Sequence, residues 1–209
     1  NKIIFVDDKC PENSIQHLKS KIKESKKIQF VFLNKNSGVG GATLKGFKIA
    51  KDQGYDILVK FDADNQHKIK DLKKIIKALK NDKILFCKGY RNLNLSNFWI
   101  KKMPLIRIIG TNALTYISRL ITLNFLLKDV TFGLFGMKSK LFNKLNKKYI
   151  KKNYFFEQDL IFQICQRKVK IHQINSEVSY ENETSSLKIL KIIIPFTIYN
   201  LQNLFRKYL

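Results

Sequence analysis

At 209 residues with 44% hydrophobic content, the chain is long enough to bury one sizeable core and needs no second domain. Lys and Arg number 40 against 16 Asp and Glu, a formal net charge of +24 at pH 7, but the excess is nearly all Lys spread from end to end, and Arg, the usual reader of base edges, is scarce. That distribution speaks against a nucleic-acid partner and for attraction to anionic lipid headgroups, while three distant cysteines, Cys10, Cys87 and Cys165, suggest neither a disulfide framework nor a zinc site and fit a reducing, cytosolic setting.

The chain starts at Asn1 directly on an apolar run, with no basic-then-apolar leader, and reads as a fragment of a longer protein. Ile3 to Val6 predicts a strand, Ser14 to Lys26 an amphipathic helix and Ile28 to Leu33 a second strand. A polar, glycine-rich turn, Asn34 to Gly41, leads into a helix from Ala42 to Gln53, and Ile57 to Phe61 is a third strand that stops at Asp62. A Lys-rich helix, Ile69 to Leu79, and a strand, Ile84 to Cys87, complete a half in which strands and helices alternate, the pattern of a mostly parallel sheet covered by helices. Ligands of such sheets sit at the carboxyl ends of the strands, which makes Asp7, Asp8, Asn36, Asp62, Asp64 and Arg91 candidates for one shared site.

The later half is less regular. Arg91 to Pro104 reads as a loop, Leu105 to Leu127 as one or two amphipathic helices, Thr131 to Gly136 as a turn and short strand, Tyr154 to Gln166 as a helix and Val169 to Tyr180 as strand and turn. Leu187 to Leu209 is an apolar helix interrupted at Pro195 and carrying Lys188, Lys191, Arg206 and Lys207. It lacks the run of about 18 uncharged apolar residues that a bilayer span needs, so it either lies in the membrane interface or packs on the core.

Three stretches carry chemistry. In Phe61-Asp62-Ala63-Asp64-Asn65-Gln66-His67 a strand ends in two carboxylates one residue apart, a donor pair suited to a hard divalent cation, which would offset charge on a departing diphosphate; the plain alternative is an acidic turn capping the next helix. In Val6-Asp7-Asp8 a second strand runs into paired acids that can accept hydrogen bonds from a nucleobase or ribose, or serve the start of the following helix. Asn36-Ser37-Gly38-Val39-Gly40-Gly41-Ala42 opens a helix with glycines that permit close backbone approach and N–H groups that favour an anion. A dinucleotide-binding loop is its rival, but Thr43 stands where a third glycine belongs.

Together these stretches resemble family 2 glycosyltransferases, in particular the branch of dolichol- and polyprenyl-phosphate mannosyl- and glucosyltransferases. Lys88-Gly89-Tyr90-Arg91 is similar to that family's Gly-x-Arg after the fourth strand, Asp129 to Gly133 to its Asp-x-Thr-x-Gly turn, and Tyr154 to Leu160 occupies the place of its acidic acceptor-side helix. Two positions depart from the pattern: Lys68 where Pro is usual, and Glu181 with Glu183 where many relatives carry an Arg that meets the diphosphate.

The resemblance implies an α/β fold of the GT-A type, with a first strand expected ahead of Ile3, a catalytic domain over residues 1–186 and an amphipathic, membrane-proximal helical tail over 187–209. It implies an inverting transfer from a UDP- or GDP-sugar to a polyprenyl-phosphate or other lipid-linked acceptor at the cytoplasmic face of a membrane. Asp7 or Asp8 would meet the nucleotide, with Asn36, Gly38, Gly40 and Gly41 shaping its pocket, and Asp62, Asp64 and Gln66 would hold Mg²⁺ or Mn²⁺. A lipid phosphate is already anionic and needs cations such as Arg91, Arg107 or Arg119; a glycan hydroxyl, the alternative acceptor, needs a general base, for which Asp159 or Glu157 is the candidate. A reading from another class is a basic module that binds membrane or nucleic acid without catalysis.

Overall fold

A computed structural model describes residues 1–23, 25–64, 66–92, 105–153, 155–177, 194–199 and 202, of which 106 and 107 by backbone only. In chain order the elements are β1 (Ile3–Asp7), α1 (Ser14–Lys21), β2 (Ile28–Phe32), α2 (Gly38–Asp52), β3 (Ile57–Lys60), α3 (Ile69–Leu79), β4 (Phe86–Tyr90), α4 (Leu105–Thr122), β5 (Phe135–Lys138), α5 (Ser139–Lys144), a 3₁₀ turn (Lys147–Tyr149), α6 (Phe156–Gln166) and β6 (Ile171–Asn175).

The strands form two ladders. β1 and β2 pair in parallel, with Ile3 opposite Ile28 and Asp7 opposite Phe32. The second ladder has the order β3-β5-β4-β6, in which β4 and β6 are parallel and β5 runs antiparallel to both of its neighbours, β3 and β4. The expectation of parallel pairing thus holds for β1–β2 and β4–β6, while β5 returns against the grain between β3 and β4. Among the described residues β1 and β3 are not hydrogen-bonded to each other, and α2 packs on both and joins the ladders.

Alternation along the strands divides the apolar side chains of the second ladder between two cores. Ile57 and Val59 of β3 and Cys87 of β4 face α3, where they meet Ile75 and Leu79. Leu58 of β3, Phe86 of β4 and Phe135 and Met137 of β5 point to the other face, where Phe47 of α2, Leu141 and Phe142 of α5 and Phe156, Leu160 and Ile164 of α6 cover them. Phe135 is the hub of this core, with ring centroids 6.0 Å from Phe47, 5.7 Å from Phe86 and 6.1 Å from Phe156. α3 serves the opposite face with a stripe at i, i+4 spacing, Asp71, Ile75 and Leu79, all buried, and turns its lysines to solvent.

Element limits differ from expectation at several places: β4 spans Phe86–Tyr90 instead of Ile84 to Cys87, α4 ends at Thr122 instead of Leu127, and the limits of α1 and α2 differ for local reasons. α1 stops at Lys21, not Lys26; none of its residues is buried, and the Lys19 to Lys23 pair would set like charges at i, i+4. α2 begins at Gly38, four residues before Ala42, because its glycines let the first turn run against the backbone of residues 151–153. Of the expected tail, the helical residues 194–199 pack Phe196 and Tyr199 on Phe155, at 5.9 and 5.2 Å between centroids, and leave Ile194 and Ile198 exposed. The rest of 187–209, except residue 202, and the expected loop with Glu181 and Glu183 lie outside the described residues.

β5 passes directly beneath α3 at Gly136, where an added Cβ would stand 2.8 Å from Leu79 and 3.0 Å from both Ile75 and Val59. Gly136→Ala is expected to lower unfolding free energy by about 1–3 kcal/mol through overpacking, read as a lower midpoint in urea with an unchanged slope.

Candidate active site

β3 delivers the first functional groups. Its alternation turns Lys60, like Leu58, toward the α6 face of the sheet, and the two-residue period brings Asp62 to the same side just past the strand end. There the Lys60 ammonium donates to both carboxylate oxygens of Asp62, at 2.7 and 2.8 Å, and to the carbonyl of Gly133 at 3.3 Å. Glu157, in the first turn of α6, places Oε1 3.6 Å from the same ammonium. Gly133 passes so close that a Cβ there would lie 2.8 Å from Asp62 Oδ2, 2.9 Å from Lys60 Nζ and 3.7 Å from Glu157 Oε1.

His67 closes the group from the turn before α3. Its Nε2 is 3.4 Å from Asp62 Oδ2, and its ring stands edge-on to Phe132 at 4.7 Å and to Phe61 at 5.7 Å; its Nδ1 is buried without a hydrogen-bond partner among the described residues. Burial raises the Asp62 carboxyl, but the His67 hydrogen bond and the Lys60 charge outweigh it and hold the group below the usual carboxylate range. Glu157 moves the other way: burial pushes it up, against the opposing pull of Lys60. Two carboxyl groups near one lysine therefore titrate in opposite directions, an arrangement in which one stays an anion while the other can take or give a proton.

Behind this group lies a buried charge network. Asp129 is fully enclosed and accepts from Arg91 Nε at 2.7 Å, Arg91 Nη2 at 3.1 Å and the Arg91 backbone N–H at 3.2 Å. Lys88 donates to the Asp129 carbonyl, and Arg91 Nη2 also donates to Thr131 Oγ1 at 2.7 Å. Burial works to raise the Asp129 carboxyl, yet Arg91 and Lys88 bring it down to about 2, while burial lowers Lys88 to about 8 against the pull of Asp129. The Arg91 guanidinium lies 5.4 Å over the Phe132 ring, which touches His67, so the network fixes the turn that forms one wall of the Asp62 group.

The residues expected at the site fall into two groups. At the end of β1, Asp7 Oδ1 accepts from Cys10 N–H at 2.8 Å and Asp8 Oδ1 from Ser37 N–H at 2.6 Å, which ties β1 to the loop before α2. In that loop Asn36 Oδ1 accepts from Gly38 N–H at 3.1 Å. The glycines serve chain packing: a Cβ on Gly38 would meet the Lys152 carbonyl at 2.3 Å, one on Gly40 the Lys151 carbonyl at 2.7 Å, and one on Gly41 the Ser37 side chain at 2.6 Å. Gly40 N–H is committed to the Lys152 carbonyl at 2.9 Å, so the reading of this helix start as an anion cradle is revised at that position.

The second group is built on Asp62. Asp64 accepts the Gln66 backbone N–H at 3.0 Å in the same turn. Of the acids on α6, Glu157 joins Asp62, whereas Asp159 is fully buried away from it, accepting from Lys151 N–H at 2.6 Å and Tyr199 OH at 2.8 Å. Asp159 thus holds the 151–153 segment against α2, and of the two candidate acids only Glu157 lies beside the Lys60–Asp62 pair. Arg91 is drawn into the Asp129 network, and Arg119 Nε donates to the Leu127 carbonyl at 2.5 Å. Arg107 sits in the first turn of α4, its side chain outside the described residues.

Sequence reasoning passed over Lys60 and Lys88. The signal was present: each is a lysine in an apolar strand, spaced by two from Leu58 or Phe86, at a position that alternation buries. Among the described residues no group of three or more His, Cys, Asp or Glu side chains converges on a metal position. The oxygen set Asp62, Asp64 and Gln66 nonetheless suits a hard cation, and Asp62 already directs both oxygens at one positive charge, the Lys60 ammonium.

Comparison with known proteins gives a consistent result. The sequence model of the Glycosyl transferase family 2 domain matches residues 1–146. The chain is 29% identical over 211 residues to the UDP-N-acetylglucosamine–dolichyl-phosphate N-acetylglucosaminyltransferase of Methanococcus voltae, across 95% of this chain and 82% of that protein. It is 24% identical over 174 residues to the undecaprenyl-phosphate mannosyltransferase of Micrococcus luteus, across 82% of this chain and 69% of that protein. In structure it superposes on glucosyl-3-phosphoglycerate synthase from Mycobacterium tuberculosis, solved with Mn²⁺, UDP and phosphoglyceric acid, with a TM-score of 0.66 at 16% identity over 98% of this chain and 67% of that one. The fold is therefore of the GT-A type.

Removing the charge of Asp129 while keeping its shape, in Asp129→Asn, is expected to cost about 3–5 kcal/mol, because it leaves Arg91 buried without its counter-ion. The Asp129 contribution is complete above the unfolded carboxyl value near 3.9 and is lost as pH falls toward the folded value of about 2, so urea titrations of wild type and variant should converge between about pH 4 and 2.

Proposed function

The chain belongs to glycosyl transferase family 2 and is a glycosyltransferase, and on that premise we propose that it moves a sugar from a nucleotide-diphosphate sugar to a polyprenyl-phosphate acceptor, with inversion at the anomeric carbon. The observation that carries this reading is the Asp62 carboxylate at the end of β3, held between Lys60 and His67 and facing Glu157, with Asp64 in the same turn. The similarity to proteins named for dolichyl- and undecaprenyl-phosphate supports the acceptor class, and the UDP-N-acetylglucosamine in one of those names makes a uridine nucleotide sugar the first donor to test.

A divalent cation on Asp62, Asp64 and Gln66, Mg²⁺ or Mn²⁺, would neutralise charge on the departing diphosphate. The acceptor phosphate oxygen forms the new bond to the anomeric carbon, and the bond from that carbon to the diphosphate breaks with its electron pair on the leaving oxygen. Asp8 and Asn36 order the loop before α2, which in this reading borders the nucleotide. In this reading Glu157 lies on the acceptor side of Asp62, and burial raises its carboxyl above the ordinary glutamate value, the direction a general base needs. That property favours a second reading, transfer to a glycan hydroxyl, because a hydroxyl must lose its proton while the attacking phosphate oxygen is already anionic.

The lipid acceptor places the reaction at a membrane surface, in this reading the cytoplasmic face. No described helix is long and apolar enough to cross a membrane. α4 instead exposes Leu105, Ile109, Tyr116 and Leu120 at helical spacing, continued by Leu123, Phe125 and Leu126, an apolar edge suited to lie against lipid.

The test is transfer of radiolabelled sugar from UDP-N-acetylglucosamine, UDP-glucose or GDP-mannose to undecaprenyl phosphate with Mn²⁺. Asp62→Ala is expected to lower the rate at least about 100-fold, given that even supporting residues of a metal site cost 10–100-fold. Glu157→Gln separates the acceptors: lipid-phosphate transfer should survive within about tenfold, whereas hydroxyl transfer should fall by the 10²–10⁴-fold expected for loss of a general base. No transfer from any of the three donors to lipid phosphate, in folded protein, would overturn the reading.

A further inference from the structure

Lys60 is a charged residue in a place that alternation reserves for the core, and its side chain is only 6% exposed. An ammonium has three N–H donors, and here they face oxygens from three directions: both of Asp62, the carbonyl of Gly133, and Glu157 just beyond at 3.6 Å. Lys60 thus grips Asp62 with two contacts to one point charge, as a cation held by that carboxylate would. Two cations cannot share those oxygens at close range without repulsion, and although the Asp62 side chain is 35% exposed, the Lys60 side of the contact is buried. Lys60 cannot escape to water without unpacking β3, and Glu157 on the other side of the ammonium is the one further carboxylate paired with it among the described residues.

We propose that Lys60 is a built-in counter-cation that occupies Asp62 in the donor-free protein, and that loading of a divalent cation transfers its ammonium from Asp62 to Glu157. The inference rests on the reading of Asp62 as the metal-holding carboxylate of a nucleotide-sugar transferase. It makes Lys60 a positioning residue with two stations. Without donor, the ammonium competes with the divalent ion and keeps the site closed to metal. When the nucleotide diphosphate adds its own oxygens, the divalent ion prevails, and Lys60, now beside Glu157, places a positive charge at the acceptor side of the site.

The experiment is Mn²⁺ binding to the full chain, followed by the electron paramagnetic resonance signal of the free ion, with and without UDP. Lys60→Met is expected to bind Mn²⁺ at least about tenfold more tightly than wild type without UDP, because no ammonium has to be displaced from Asp62. Lys60→Gln, which keeps a donor for Asp62 and Gly133, should show the same direction and serves if the Met variant does not fold. Unchanged or weaker donor-free Mn²⁺ binding in folded variants, beside a wild type that binds Mn²⁺ with UDP, overturns the inference and leaves the glycosyltransferase reading intact. Absence of Mn²⁺ binding in wild type and variants alike, even with saturating UDP, overturns the metal-dependent reading and the inference together.

Discussion

The constraint on which the rest of the molecule depends is the pairing of cations buried at the ends of β3 and β4. Lys60 on β3 and Lys88 on β4 project toward the side covered by α6, and Arg91 lies just past β4 over Phe132; an unpaired buried cation would cost far more than any single apolar contact returns. Asp62 and Glu157 meet Lys60, the Asp129 carboxylate meets Arg91, and Lys88 donates to the Asp129 carbonyl. Each anion comes from a different part of the chain: the end of β3, the turn before β5 and the first turn of α6. Pairing the charges therefore fixes how those three parts sit, and it is their convergence that creates the site.

The antiparallel course of β5 serves the same end. It threads between β3 and β4 and brings the preceding turn, Asp129 to Leu134, over the ends of both strands. Gly133 then approaches Asp62 and Lys60 within distances that a side chain would not permit, and Phe132 separates the Arg91 pair from His67. A second close approach, of residues 151–153 to the glycines that open α2, is held by Asp159 and Tyr199. Through it the α6 end of the site is tied to the loop that Asp8 organises, so that the two groups of expected residues belong to one scaffold although they make separate contacts.

Much of this was legible in the chain. The strands that lead to Asp7 and Asp62, a helix opened by the glycine-rich turn, the amphipathic α3 and the acidic start of α6 follow from period and turn chemistry, which are properties of neighbours in sequence. The family could be read from the order and spacing of short motifs. Less legible were the roles within those motifs. Arg91 reads as a free cation in sequence but is consumed by Asp129, 38 positions away. Gly40 reads as a place for an anion but meets a backbone carbonyl more than a hundred positions away. Glu157 and Asp159 are indistinguishable as neighbours on one helix turn.

The sequence by itself determined which strands run into carboxylates and which helices alternate with them, and hence the class of fold, because such features depend on local periodicity and on residue types at short range; the family came from the resemblance of its ordered motifs to those of known glycosyltransferases. Only the tertiary structure decided which of two acids lies near Asp62, which cations make internal pairs, and that a lysine inside β3 holds the Asp62 carboxylate. Those assignments depend on which distant segments share a buried space, and electrostatic energy in that space is set by separations of a few ångström that no spacing along the chain encodes.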